Sequence, residues 1–389
     1  MNSLKNYLVN LTPLRGLAAV FTVIFHFNLM IVGGALIPQN QSSLISKMYL
    51  MVDFFFVLSG FILMHVYSDR FNNSVNVFEF KKFTIARFAR IYPLHFFTLL
   101  YLVALHIWFI SAGGVYNNPF ASISNRWEAI PTNLLLIQSM NIHNWFSWNN
   151  AAWSISTEWW MYMLFPFLVK PFFKLNSIGR ILILVACFTG YLLIIFYIQK
   201  IVALPEPMSF IRPGLDKTLN VAYDWGFLRC MFGFIIGMIT YLAFKDGIGR
   251  NFWGNGITFS IISIAIFLCL HFGVLDVFTV SFFPLLILSG AYGSKNIDSL
   301  FALKPLQRLG DWSYSIYLVH QPILYTFGTI NNYLHPQSPE GRPPQPDILT
   351  GWLICLFFIV LTLVISFLTY RFIEVPARNW INRQYGSKV

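Results

Sequence analysis

Charged residues are scarce in this sequence. Of its 389 residues only 11% are Asp, Glu, Lys or Arg, whereas 57% are hydrophobic and 18% are aromatic. A soluble globular domain carries about a quarter charged residues. There are too few here to cover a water-soluble globule, so most side chains must face lipid or one another.

Cysteine is also rare, and its placement argues against a cysteine-based metal site. The four cysteines lie inside apolar segments, without a C-x-x-C pair or metal-ligand spacing: Cys187, Cys230, Cys269 and Cys355. We interpret them as small packing residues and predict no metal.

The net charge of +11 comes from short basic clusters between apolar segments. Because no basic domain with interspersed aromatic residues is present, we predict no nucleic-acid partner.

Long apolar segments recur along the whole chain. A helix of about 18 or more apolar residues can cross roughly 30 Å of hydrocarbon. The segments predict ten spans, at residues 12–34, 48–68, 88–110, 150–170, 180–200, 222–244, 253–272, 275–294, 312–333 and 349–373. The turn between the seventh and eighth is so short that nine spans remain an alternative. The predicted fold class is all-α, a polytopic transmembrane helix bundle.

Lysine and arginine are distributed unevenly between the connections. The sequence has 26 lysines and arginines, of which Arg229 lies within a predicted span. Of the other 25, 19 fall in one alternate set of connections and six in the other. The six are Lys47, Arg126, Lys200, Arg212, Lys217 and Arg342. Because basic residues concentrate on the cytosolic side, we predict that both termini are cytosolic. The long loops 111–149 and 334–347 then lie outside, and 1–389 forms a single integral-membrane domain.

Five ionisable residues fall inside predicted spans: His26, Asp53, Glu158, Arg229 and His320. Charged groups are costly within a bilayer, so those that persist are candidates for functional residues. At 1.5 Å of rise per residue, all except His320 reach a similar level, about 10 Å below the outer face. They predict a polar chamber in the outer half of the bundle that opens to the outside.

Arg15 and His26 lie eleven residues apart in the first predicted helix. That spacing returns to nearly the same helix face about 16 Å further along. One face therefore presents a cation near the cytosolic surface and an imidazole deep in the membrane, and an extended pantetheine arm spans a comparable distance. An ordinary cytosolic anchor for Arg15 and a packed core histidine for His26 are the alternatives.

Arg87 and Arg90 lie three residues apart at the cytosolic start of the third span, so they share a helix face. Guanidinium groups offer the bidentate donors that phosphate binds, although anchoring beside anionic lipid is an equally good explanation. His320 precedes Gln321 and Pro322, and it can also be a hydrogen-bonded residue at a proline kink.

Six stretches of the chain, in the same order, resemble the membrane acyltransferases of acyltransferase family 3. They are LRGLAAVFTVIFHF (14–27), VDFFFVLSGFIL (52–63), RFARIYPLH (87–95), WSISTEWWMYMLFP (153–166), LGDWSYSIYLVHQPIL (309–324) and YRFIEVPAR (370–378). The combination is specific, because an arginine and a histidine separated by ten residues are followed by R-x-x-R, W-S-x-S-x-E and H-Q-P.

The resemblance implies a multi-pass acyltransferase of the bacterial cytoplasmic (inner) membrane. Its donor is expected to be acyl-CoA, commonly acetyl-CoA. Its acceptor is expected to be an extracytoplasmic or lipid-linked carbohydrate such as O-antigen of lipopolysaccharide or exopolysaccharide. Membrane lipid, a second copy of the chain and proteins of glycan assembly are the other partners considered.

Carried over by position, the resemblance implies that His26 is the catalytic histidine and Arg15 its motif partner. It implies that Arg87 and Arg90 lie on the CoA side and that Glu158 is a motif acid. Many members have a second glutamate after this acid, whereas this chain has Trp159. The fused esterase-like domain of some relatives is not expected here, so the membrane part must complete the transfer alone or pass the acyl group to a separate protein.

The expected mechanism uses neutral His26 as the general base on a sugar hydroxyl, which then attacks the thioester. Glu158 or Asp53 is expected to orient the imidazole, in the way that a carboxylate holds a catalytic base. The residues expected to support the site or the substrate are Arg229, His320, Trp153 and Tyr317.

Three alternatives remain open on the sequence alone. The first is a transient acyl-histidine that relays the group across the membrane. The second is an acceptor that is a small molecule or a lipid instead of a glycan. The third is a transporter or flippase, in which the same polar chamber passes a solute without covalent change.

Overall fold

The computed structural model describes residues 8–31, 36–116, 119–198, 217–335 and 346–386, with only the backbone of residues 119 and 120. Every regular element within these ranges is a helix, which confirms the all-α prediction. The helices are α1 (Leu11–Met30), α2 (Met51–Phe71), α3 (Val77–Ser111), α4 (Pro119–Ser124), α5 (Ile130–Leu134), α6 (Ala152–Phe173), α7 (Ser177–Leu193), α8 (Gly226–Lys245), α9 (Arg250–Trp253), α10 (Gly256–His271), α11 (Asp276–Tyr292), α12 (Lys295–Phe301), α13 (Lys304–Asp311), α14 (Ser313–Leu334), α15 (Ile348–Thr369) and α16 (Val375–Ile381).

Among the described residues, six helices are long and apolar enough to cross a membrane. Counted with their continuations, they cover Leu11–Met30, Met48–Phe71, Val77–Ser111, Ser177–Ile198, Gly226–Lys245 and Ile348–Gly386. A seventh is reached if α11 and α12, which meet at 93°, form one broken span. The coarser prediction of a multi-pass helical protein therefore holds.

The count of ten spans stays a prediction, although a helix lies at each predicted position. α10 has 16 residues, and α6 and α14 carry polar residues that lower their hydropathy. Those residues, such as Ser156 and Gln321, are buried inside the bundle. The chain ends (1–7 and 387–389), and most of the predicted loop 334–347, lie outside the described residues, so the cytosolic termini also stay a prediction.

α3 begins eleven residues before its predicted start. The side chain of Asn76 caps it by accepting a hydrogen bond of 2.7 Å from Phe78 N. The first turns carry Lys81 and Lys82, which hydropathy does not score as membrane-spanning. With 35 residues α3 is about 52 Å long, which exceeds the roughly 30 Å of hydrocarbon that a span must cross. Arg87 and Arg90 lie about three turns from its N-terminal end.

α2 and α8 form the most extensive helix pair of the bundle. Gly233 and Gly237 form a G-x-x-x-G pattern that lets two backbones approach closely. A Cβ atom built at Gly237 would lie 1.9 Å from Val57 O, and one at Gly60 would lie 2.0 Å from Phe234 O. The two helices are therefore in backbone contact, which fixes Asp53 on α2 opposite Arg229 on α8.

α1 packs as closely against α13, which leads directly into α14. A Cβ atom at Gly310 would lie 2.1 Å from Thr12 O. The guanidinium of Arg15 donates to Gly310 O from Nη2 (2.9 Å) and Nε (3.3 Å). This contact sets the first helix against α14 and brings His26 to His320.

Candidate active site

A central cavity of about 190 Å³ opens at one end of the bundle. Its walls come from the C-terminal parts of α1, α3 and α14, from the start of α2 and α8, and from Tyr116 and residues within 121–153 and 220–222. We call this the loop end, and we call the opposite end, where Arg15, Arg87 and Arg90 lie, the arginine end. His26 and Arg229 both line the cavity.

The imidazole of His26 contacts a second imidazole. His26 Nδ1 lies 3.1 Å from His320 Nε2 and 3.0 Å from the backbone oxygen of Thr22. His320 Nδ1 lies 3.2 Å from Ile316 O, and His320 is fully buried. The two histidines come from α1 and α14, 294 residues apart in the chain.

The backbone oxygens determine the tautomers of this pair. A carbonyl oxygen only accepts, so the nitrogen that faces it must carry the hydrogen. His26 therefore carries its hydrogen on Nδ1, and so does His320. His320 Nε2 then has a lone pair toward the Nδ1–H of His26, which is shared between Thr22 O and His320. The remaining nitrogen of His26, Nε2, is unprotonated and able to accept a proton.

Asp53 and Arg229 form a buried ion pair beside the cavity. Arg229 Nε donates to Asp53 Oδ1 (2.9 Å) and Arg229 Nη2 to Asp53 Oδ2 (2.6 Å), and neither side chain is more than 1% exposed. The guanidinium also donates to Val221 O (3.1 Å) and Tyr49 O (3.3 Å). Asp53 is thus committed to Arg229, and the expectation that it orients His26 is not met.

Glu158 lies closer to the arginine end than the sequence predicts. It accepts a hydrogen bond from Ser59, which is six residues beyond Asp53 on α2 and so about 9 Å nearer that end. Tyr162 and Arg87 surround it. Glu158 therefore belongs to a second polar layer, and the hydrogen bond that holds His26 comes from His320 in place of a carboxylate.

Arg87 and Arg90 share a helix face, but their surroundings differ. Arg90 forms an ion pair with Glu374, which is 1% exposed and also accepts from Ser315 Oγ at 2.9 Å. Arg87 donates to Tyr67 Oη at 2.9 Å, and its Cζ lies 5.1 Å from the centre of the Tyr67 ring. Its Nε has no hydrogen-bond partner among the described residues.

The two aromatic residues predicted to support the site each contact one of its polar groups. The Trp153 ring lies 5.4 Å from Arg229 Cζ and lines the cavity. Tyr317 lies 5.9 Å from the His320 ring, and its hydroxyl pairs with Ser154 Oγ at 2.7 Å. Both residues therefore hold cavity groups in place.

Sequence reasoning missed Glu374, the buried partner of Arg90. The signal was present, because Glu374 is an acid in the apolar stretch YRFIEVPAR. It also missed the contact between His320 and His26, which no spacing in the chain indicates.

Within the described ranges no group of three or more His, Cys, Asp or Glu side chains is placed to hold a metal ion.

Comparison with known proteins gives matches along almost the whole chain. A family model described as an acyltransferase domain matches residues 9–371. The acyltransferase MdmB of Streptomyces mycarofaciens is 26% identical over 351 residues, which cover 86% of this chain and 81% of that protein. The peptidoglycan O-acetyltransferase OatA of Listeria monocytogenes is 24% identical over 99% of this chain and 58% of its own length.

The O-acetyltransferase OatA of Staphylococcus aureus is 25% identical over 96% of this chain and 57% of its own length. The chain thus spans less than three fifths of either OatA protein. No solved structure matches it. The family match spans the residues from α1 to the end of α15 that carry the histidine pair, the ion pair and the arginines. The chain belongs to acyltransferase family 3 and is an acyltransferase.

Proposed function

We propose that this protein is a membrane O-acetyltransferase that moves an acetyl group from acetyl-CoA to a hydroxyl of an extracytoplasmic carbohydrate. The observation that carries the proposal is the placement of His26. Its Nε2 is unprotonated, and its helix, α1, lines the cavity at one end and carries Arg15 at the other. The OatA relatives, which are named as O-acetyltransferases, support oxygen as the acceptor atom.

The chemistry requires one base and one hydroxyl next to the thioester. His26 Nε2 takes the proton of the acceptor hydroxyl, and the oxygen forms a bond to the carbonyl carbon. When the tetrahedral intermediate collapses, the carbon–sulfur bond breaks and the CoA thiolate leaves. The imidazolium then returns the proton to sulfur. His320 acts as a positioning residue. Its Nε2 lone pair accepts a hydrogen bond from the Nδ1–H of His26, and this bond strengthens when His26 becomes charged.

The arginine end is the proposed site for the CoA part of the donor. Arg15 lies eleven residues before His26 on a continuous helix, so about 16 Å separates them along the axis. An extended pantetheine arm can bridge that distance with its phosphates at the arginine end. Arg87, which forms no direct ion pair among the described residues, is better placed than Arg90 to bind those phosphates.

The positive-inside bias supports a cytosolic arginine end and an external loop end, and the family resemblance supports the inner membrane of a bacterium. Cytosolic acetyl-CoA and an external glycan would then meet in the central cavity. This arrangement removes the need for the enzyme to move either substrate across the whole bilayer.

Replacing His26 with Ala tests the proposal. We expect purified His26→Ala protein to lose at least about 100-fold in acetyl transfer, the usual contribution of a general base. His271→Ala is the matched control, because His271 contacts Ser42 and does not line the cavity. Near-normal transfer by His26→Ala, with both variants folded, would remove His26 from the mechanism.

A half-reaction distinguishes direct transfer from the acyl-histidine relay. Wild-type protein is mixed with acetyl-labelled acetyl-CoA and no acceptor, and free CoA and protein-bound label are measured. Direct transfer gives no burst of CoA and no labelled peptide. Stoichiometric label on His26, discharged by later addition of glycan, would establish the relay instead.

A further inference from the structure

Gln321 is a buried side chain that lacks hydrogen-bond partners. It follows His320 on α14, is fully buried and lines the central cavity. Neither Nε2 nor Oε1 of its amide has a hydrogen-bond partner among the described residues. A buried amide without partners is unfavourable, since it has lost its hydrogen bonds to water. Such a group at a cavity wall is therefore suited to bind a substrate.

Other amides and aromatic rings surround the same cavity. Asn150 and Asn332 line it and are largely buried, and Asn150 Oδ1 also lacks a partner. The rings of Trp153 and Phe146 form part of the wall. An amide offers one acceptor and two donors, which match the paired donor and acceptor character of neighbouring sugar hydroxyls. Aromatic rings can cover the apolar C–H face of a sugar ring.

The charge of the cavity restricts the substrate further. Arg229 is the only Lys, Arg, Asp or Glu side chain among the described residues that line it. Its guanidinium is neutralised by two hydrogen bonds to Asp53 and is held by two backbone oxygens. A carboxylate or phosphate on the acceptor ring would be removed from water without a free cation to balance it, which is strongly unfavourable.

We infer that the acceptor is an uncharged sugar ring and that Gln321 binds the hydroxyl next to the one that is acylated. This inference rests on the proposed function and names the substrate class of the same site. Gln321 is then a specificity-determining residue, because its amide is paired only when a correctly placed hydroxyl is present.

The first test compares neutral sugars with their acidic counterparts. The probes are the 4-nitrophenyl β-glycosides of glucose and galactose, paired with those of glucuronic and galacturonic acid. With wild-type protein and acetyl-CoA, we expect acetylation of at least one neutral glycoside at ten or more times the rate of its uronide. A uronide acetylated as fast as its neutral counterpart overturns the inference but leaves the proposed function intact. If the protein binds acetyl-CoA and acetylates none of the four sugars, both fail.

The second test assigns the hydroxyl that Gln321 binds. Monodeoxy derivatives of the better neutral glycoside are compared in wild-type protein and in Gln321→Leu, which keeps the size of the side chain without its amide. Losing one buried hydrogen bond should lower kcat/KM about tenfold, so one deoxy sugar should be that much poorer with wild type.

Gln321→Leu should show the same loss with the complete sugar and no further loss with that deoxy sugar. The KM for acetyl-CoA should stay unchanged, which shows that the variant is folded. Equal discrimination between the two sugars by wild type and variant would show that Gln321 does not bind the acceptor. A purely structural role for the amide predicts this equal discrimination.

Discussion

The positions of two hydrogen atoms decide which nitrogen of His26 can take part in catalysis. Thr22 O and Ile316 O, both backbone acceptors on the histidines' own helices, hold the hydrogens on the Nδ1 atoms. The chain of acceptors therefore runs from Ile316 through His320 to His26. It leaves His26 Nε2 as the one ring nitrogen of the pair that is free to remove a proton from a substrate.

Replacing His320 tests its positioning role. In His320→Ala the Nδ1–H of His26 keeps only the Thr22 bond, so we expect kcat to fall about 10- to 100-fold, or ~1.4–2.8 kcal/mol. The KM values should change little. In His320→Gln the amide oxygen can accept the same hydrogen bond, so part of kcat should return. Steady-state kinetics provide the measurement, and an equal loss in the two variants would contradict the role.

Arg87 and Arg90 should respond differently to truncation. Arg87→Ala removes a guanidinium that lies near Glu158 but forms no direct ion pair among the described residues, so we expect weaker acetyl-CoA binding and a smaller loss of thermal stability than in Arg90→Ala. Arg90→Ala leaves the buried Glu374 with only the more distant Arg378 (3.8 Å) as a cation, so we expect a loss of about 1–3 kcal/mol of stability. Thermal unfolding and acetyl-CoA titration in detergent provide both measurements.

The double variant Arg90→Ala/Glu374→Gln is the control for this pair. Because it removes both charges, it should recover part of the stability lost in Arg90→Ala. If Arg90→Ala lowers acetyl-CoA affinity as much as Arg87→Ala while stability is unchanged, the two arginines bind the donor together, as the sequence pattern alone suggests.

Most of the residues at the site could be identified from the sequence, but not most of their contacts. His26, Arg229 and His320 stand out because ionisable groups are rare in apolar spans. Hydropathy carries no information on which helices meet, so it could not pair His26 with His320. The estimate of one common depth failed for Glu158 because it assumed that α2 and α6 begin at the same level. Glu158 is only six residues into α6 but contacts Ser59, which is eight residues into α2.

Helix packing depends on a few positions where a side chain cannot fit. At Gly237 any Cβ atom would meet Val57 O, which belongs to the α2 backbone and cannot rotate away. The separation of α2 and α8 is therefore set by glycine. That separation in turn fixes the distance between Asp53 and Arg229 one to two turns further along.

Gly237→Ala should force α2 and α8 apart. We expect a loss of roughly 1–3 kcal/mol, as for other overpacked interiors, seen as a lower unfolding temperature in detergent. Gly328→Ala is the control for stability, because a Cβ atom there meets nothing within 4 Å. An unfolding temperature for Gly237→Ala equal to that of wild type would show that the helices adjust freely.

Helix lengths were harder to predict than helix positions. The predicted spans coincide with helices because long apolar runs are a strong signal. The additional turns of α3 escaped notice because they carry Lys81, Lys82 and Glu79, which are polar but compatible with helix. α6 and α14 fall short of a span by hydropathy because the polar residues of the site lie on them.

For the molecule as a whole, the separation of its two ends predicts that the two substrates act from opposite sides of the membrane. In vesicles of one orientation, acetyl-CoA should support transfer only from the side of the arginine end. The acceptor should react only from the side of the loop end. Product formation with each substrate confined to one side, in inverted and right-side-out vesicles, measures this.

Detergent-permeabilised vesicles are the control, because both substrates then reach both sides and the orientation should no longer matter. Full activity in sealed vesicles with both substrates on the same side would contradict transfer across the bundle.

The histidine chain ends at a backbone oxygen, which has a consequence for the energetics of the cell. Ile316 O has no accessible protonated state, so a proton taken up by His26 has no onward route through His320. It must leave through Nε2, the atom at which it arrived, and CoA sulfur is its acceptor. The hydroxyl hydrogen then leaves inward on CoA while the acetyl group leaves outward, so each turnover moves no net charge across the bilayer and releases no free proton. The acetylation should proceed at the same initial rate whether the membrane is energised or collapsed by an uncoupler.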